Sequence, residues 1–129
     1  MNNLERKKFD QEILSSLIDL IPKIKEFHSP NSNFYNFFAN IAKVSSYNLF
    51  GPNHKNDEKI NFGPLGDLIF PYFNMGSIDS THLFGLDELI LFSFYLQNKG
   101  NYKKVADLGA NIGLHSIILS NLGFEVTSY

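Results

Sequence analysis

Apolar positions three and four residues apart mark the first stretch of the chain. Ile13, Leu14, Leu17, Ile18, Ile21 and Ile24 fall on one helical face, which predicts an amphipathic helix over residues 3–27. Pro22 lies inside that span; it lacks a backbone donor and crowds the preceding turn, so a kink or split is expected there. The helix should end near His28-Ser29-Pro30. Asn31-Ser32 then offers an N-cap to a second, short helix. Its apolar stripe is Phe34, Phe37, Phe38, Ile41 and Val44. The stripe reads as a helix packed on a core, with a ligand pocket as the alternative for so many phenylalanines.

Residues 51–59 turn polar and form a loop. This is the candidate boundary between a helical amino-terminal extension, 1–58, and a second unit, 59–129. Short apolar runs at 60–62 and 67–70 flank Gly63-Pro64-Leu65-Gly66, which predicts a β-hairpin that Pro71 ends. Residues 75–84 read as irregular. Residues 86–97 form the clearest helix, apolar on most sides and so expected to be largely buried. Asp87 and Glu88 sit in its first turn, where negative charge suits the helix dipole. Asn98-Lys99-Gly100-Asn101 ends it. A strand at 104–108, a turn at 109–113, a helix at 114–122 and a strand at 124–129 follow. That order opens a βαβ unit, so the fold class is α/β with a parallel sheet under helical cover.

Composition narrows the partners. A net charge of -2 and only short basic runs, Arg6-Lys7-Lys8 and Lys103-Lys104, argue against nucleic acid. With no cysteine, disulfides and thiolate metal sites are excluded. The four histidines show no metal spacing, so no metal is expected. The start, Met1-Asn2-Asn3-Leu4-Glu5, lacks a signal-peptide layout, and no apolar run approaches the about 20 residues of a membrane helix. A cytoplasmic protein without membrane attachment is expected. No Ser/His/Asp arrangement supports hydrolase chemistry.

The candidate chemistry lies in Asp107-Leu108-Gly109-Ala110-Asn111-Ile112-Gly113, an acidic-x-Gly-x-x-x-Gly pattern from strand end to helix start. Gly109 permits a sharp turn with bare backbone, and Gly113 permits close approach of the helix start to strand or ligand. Open α/β sheets bind ligands at the carboxyl ends of their strands, and the free N–H groups of a new helix favour a carboxylate. A dinucleotide turn needs a middle glycine, and Asn111 stands in its place. S-adenosylmethionine carries an ammonium and a sulfonium instead of phosphates, which suits the carboxylate of Asp107. Three other groups have a functional and a plain reading. Asp79 and Ser80 could lie over the cofactor, or serve turn and capping chemistry. Glu88 could point into the site, or simply favour its helix start. His115 could near the donor, or sit on the helix surface.

The stretch 105–116, Val-Ala-Asp-Leu-Gly-Ala-Asn-Ile-Gly-Leu-His-Ser, resembles motif I of FkbM-type methyltransferases. Their pattern is an apolar strand followed by Asp-x-Gly-Ala-Asn-x-Gly. The likeness extends more weakly back to Ile60. It implies a Rossmann-like class I methyltransferase domain, incomplete here, behind the helical extension and the hairpin. It implies S-adenosylmethionine as cofactor and a hydroxyl acceptor on a saccharide or small molecule. Position by position, Asp107 would hold the donor's amino group, Gly109, Ala110 and Asn111 would offer backbone, and Gly113 would allow close approach. The family's second strand ends in an acidic residue for the ribose, and this sequence stops at Ser128-Tyr129. The resemblance therefore implies an amino-terminal fragment, inactive by itself. Two alternatives stand beside it. One is a nucleotide-dependent oxidoreductase; the other is a noncatalytic interaction module in the helical extension. The residues name no acceptor, no general base and no oligomeric state.

Overall fold

A capping box starts the first helix. Asn2 accepts from the Glu5 N–H at 2.9 Å, and the Glu5 carboxylate accepts from the Asn2 N–H at 3.1 Å. In this computed structural model, which describes residues 1–129, helix α1 spans Asn3–Leu20. Pro22 splits the predicted helix. The chain narrows to a 3-10 turn over Ile21–Lys23, extends at Ile24, and turns again over Lys25–His28. Without an N–H at position 22 the α ladder has no reason to continue.

Ser32 caps helix α2, Asn33–Phe50, by accepting from the Tyr35 N–H at 3.0 Å. At 18 residues it is as long as α1, not the short helix the sequence suggested. Its buried face is also rotated from the predicted stripe. Tyr35, Ala42, Ser45, Ser46, Leu49 and Phe50 are buried, while Phe37 is 61% and Val44 53% exposed. Phe34 and Phe38 still pack on Phe27, with ring centroids 4.9 and 5.3 Å away. Small side chains chose the face: Ala42, Ser45 and Ser46 leave room for neighbouring backbone, and the Ser46 hydroxyl donates to the Phe84 carbonyl at 2.7 Å.

The hairpin forms as β1, Lys59–Asn61, antiparallel to β2, Asp67–Ile69. Ile60 and Leu68 pair and point into the core, while Ile69 faces outward, as a two-residue repeat requires. The next segment is more ordered than its composition suggests. An isolated bridge joins Asn74 to Asp79, and a 3-10 helix runs over Ser80–Phe84. It delivers Phe84 onto Phe50, with the rings stacked at 3.7 Å and 4°.

Helix α3, Leu86–Asn98, buries Leu86, Leu89, Phe92 and Ser93. Leu91 and Phe94 are exposed, so the helix is buried along one face and not on most sides. Strand β3, Lys104–Asp107, helix α4, Leu114–Asn121, and strand β4, Glu125–Ser128, complete the chain. β3 and β4 pair in parallel, Val105 opposite Val126 and Asp107 opposite Ser128. The fold is mixed α/β. One hydrophobic core runs from Leu14 through Phe50, Phe84 and Phe92 to Phe124, continuous across the loop at 51–58. No helix is long and apolar enough to cross a membrane.

Candidate functional site

The turn at the end of β3 is built from left-handed backbone. Gly109 has φ 70°, Asn111 φ 52° and Gly113 φ 85°. Only glycine adopts this region freely, and asparagine tolerates it best among the others. A Cβ at Gly109 or Gly113 would meet nothing within 4 Å. Backbone angle therefore demands both glycines. The expected close approach of Gly113 to the strand is absent, and the space beside both residues is open.

The end of β4 braces this turn. The Tyr129 N–H donates to the Asp107 carbonyl at 2.9 Å, and the Ala110 N–H donates to the Tyr129 carbonyl at 3.0 Å. The Gly113 N–H closes onto the Ala110 carbonyl at 2.9 Å, and the Ile117 N–H makes the first α-type bond, to Gly113. The N–H groups of Leu114, His115 and Ser116 make no backbone bond, as expected for the first turn of a helix. Asp107 accepts from the Ser116 hydroxyl on Oδ2 at 2.6 Å, and Ser116 in turn meets the Ser128 hydroxyl at 2.6 Å. Oδ1 of Asp107 makes no hydrogen bond within the chain. One carboxylate oxygen is thus tied down and the other free, beside the unpaired donors of α4.

Glu88 reaches the same neighbourhood. Its Oε2 lies 2.9 Å from Nε2 of His115, and the other ring nitrogen meets the Tyr95 hydroxyl at 2.9 Å. His115 is not a free surface residue: its ring packs on Phe92 and Tyr95, with centroids 5.3 and 5.9 Å away. Burial, and then the charges of Asp107 and Glu88, raise the Tyr95 phenol above its ordinary value. The sequence did not single out Tyr95, and it gave Ser116 and Ser128 no role. Glu88, Phe92 and Tyr95 stand at positions i, i+4 and i+7, so their shared face was readable; its partner on α4 was not.

Asp79 and Ser80 are occupied elsewhere. Asp79 caps the 3-10 helix by accepting from the Thr81 N–H at 2.9 Å, and it also accepts from the Tyr72 hydroxyl at 3.2 Å. The Thr81 hydroxyl, foremost among its donors, holds the Asp79 carboxyl below the usual range. Ser80 is fully buried; its hydroxyl accepts from the Phe73 N–H at 2.6 Å and donates to the Pro71 carbonyl at 3.0 Å. None of these bonds reaches the turn at 107–113. Asp107, Gly109, Ala110, Asn111 and Gly113 come together on the turn, and Glu88 approaches it through His115. No group of three or more His, Asp or Glu side chains is placed to hold a metal ion. No family model, no curated protein and no solved structure matches the chain.

Proposed function

We propose that this chain carries an S-adenosylmethionine-binding site of the Rossmann-like methyltransferase kind, serving transfer to a hydroxyl of a saccharide or small molecule. One observation carries the reading. A carboxylate with one free oxygen, bare left-handed backbone and unpaired helix N–H groups converge at the carboxyl end of a parallel strand. The donor's ammonium fits Asp107 Oδ1, and its carboxylate fits the first turn of α4. The open space beside Gly109 and Gly113 admits a ligand against the backbone. Bound there, S-adenosylmethionine supplies a methyl group already activated on a sulfonium.

The chain's own part is positional. Ser116 fixes the Asp107 carboxylate, and the Tyr129 backbone fixes the turn, so little ordering remains to be done on binding. Holding the donor still while an acceptor oxygen approaches in line accounts for most of what such a protein must do. Glu88 and His115, paired at 2.9 Å, join α3 to the first turn of α4.

Calorimetry with S-adenosylhomocysteine and NAD, run in parallel, tests the reading. S-adenosylhomocysteine should bind the more tightly. Asp107→Asn should weaken it roughly 10- to 100-fold, the worth of a hydrogen bond to a charged group, about 1.5–3 kcal/mol. Tighter NAD binding, or no heat from S-adenosylhomocysteine at millimolar concentration, would overturn it.

A further inference from the structure

Helix α4 starts without a side-chain cap. Its N-cap is Gly113, in left-handed backbone, and no side chain accepts from the N–H groups that follow. A glycine there leaves the first donors free and does nothing to hold the turn in place. Two side chains of that turn reach outward instead. The Ser116 hydroxyl donates to Asp107, and the His115 ring crosses to α3. There Nε2 lies 2.9 Å from Glu88 Oε2, and Nδ1 lies 2.9 Å from the Tyr95 hydroxyl. We infer that His115 is a positioning residue for the cofactor's carboxylate, holding the free α4 donors where that carboxylate binds. The inference rests on the methyl-transfer reading and adds to it the group that makes donor recognition depend on the carboxylate.

Three contacts give the ring one place. Its face packs on Phe92, which is fully buried, so one wall of the ring site is core. The Tyr95 hydroxyl meets Nδ1 on one side. On the other, Oε2 of Glu88 is buried and has no hydrogen-bond partner apart from the close but poorly aligned Nε2 contact. A carboxylate only accepts, so it favours a proton on Nε2 and commits Glu88 to the ring. In this arrangement Glu88 acts through His115. Glu88 and Tyr95 stand two turns apart on the same face of α3. Apolar packing alone sets the distance between two helices. Polar partners two turns apart also set how far α4 slides and rotates.

That matters because the donors lie on the same turn. The N–H groups of Leu114, His115 and Ser116 make no backbone bond, and the space beside Gly113 is open. Donors already held in place lose less freedom when a ligand arrives. Donors on a turn free to shift would favour a carboxylate far less.

Calorimetry on the full chain, with S-adenosylhomocysteine and its decarboxylated analogue, tests this. The analogue keeps the ammonium assigned to Asp107 and lacks only the carboxylate. Wild type should bind S-adenosylhomocysteine roughly tenfold or more the tighter, the worth of hydrogen bonds to a charged group. His115→Phe keeps a ring against Phe92 and removes both polar contacts. It should erase most of that preference by weakening S-adenosylhomocysteine, with the analogue little changed. Tyr95→Phe removes one contact and should shrink the preference by a smaller factor. Loss of packing alone would weaken both ligands alike. That result, an undiminished preference in the variants, or equal binding of the two ligands by wild type would overturn the inference and leave the methyl-transfer reading standing. A wild type that binds neither ligand would overturn both. If His115→Phe fails to fold, Tyr95→Phe alone decides.

Discussion

At the scale of single residues, the magnitudes separate backbone effects from contacts. Gly113 has φ 85° and open space where a Cβ would go. Gly113→Ala should therefore cost only the left-handed backbone, about 1–2 kcal/mol in urea unfolding. Ser80 is different, because its hydroxyl satisfies the Phe73 N–H inside the protein. Ser80→Ala should cost about 1–3 kcal/mol by the same measurement, the expense of stranding a buried donor. His54 adds a pH signature. Burial, foremost, and then Lys7 lower its pKa below the ordinary 6.5, against the opposing pull of Glu58, Asp57 and the Phe70 carbonyl. The unfolded chain then takes up a proton that the folded chain refuses. Its contribution to stability is full above pH 6.5 and is lost as pH falls below that value. His54→Gln should flatten the drop in melting temperature between neutral and mildly acidic pH; an unchanged slope would refute the assignment.

At the scale of elements, the decisive contacts join helices. The Tyr35 hydroxyl donates to Asp87, tying α2 to the first turn of α3. Burial, then this bond, push the Tyr35 phenol up to about 12. A raised folded pKa stabilises below the unfolded value of 10.0 and ceases to do so as pH climbs toward about 12. Ultraviolet titration of Tyr35→Phe should lose the latest-ionising phenol, and the variant should show less alkaline destabilisation than wild type. Asp87 was read in the sequence only as a favourable helix-start charge. Its partner lies 52 positions away, beyond any periodicity argument. The face of α2 was misread for a related reason. Hydrophobicity pointed to Phe37 and Val44, but close packing favoured the side bearing Ala42, Ser45 and Ser46.

At the scale of the whole molecule, a single core spans the helical extension and everything after it. Leu14, Leu17 and Ile18 of α1 belong to the same cluster as Phe92 of α3 and Ile118 of α4. The Ser93 hydroxyl donates to the Ile18 carbonyl at 3.3 Å inside it. Urea unfolding should therefore give one transition, with tyrosine fluorescence and circular dichroism coinciding. Two separated transitions would show that residues 1–58 fold as an independent unit.

The sequence alone determined what depends on short-range chemistry. Helix starts follow from caps such as Ser32, the split after α1 from Pro22, the hairpin from two short apolar runs around Gly63-Pro64-Leu65-Gly66, and the sharp turn from Gly109 and Gly113. Each is decided within about one turn of helix or one pair of strands, by sterics and local hydrogen bonds. Only the tertiary structure decided which helix face is buried, that Ser80 and Asp79 are tied up in their own segment, and that His115 lies between Glu88 and Tyr95. Those outcomes depend on which distant surfaces meet and how tightly they fit, and residue spacing along the chain carries no record of that.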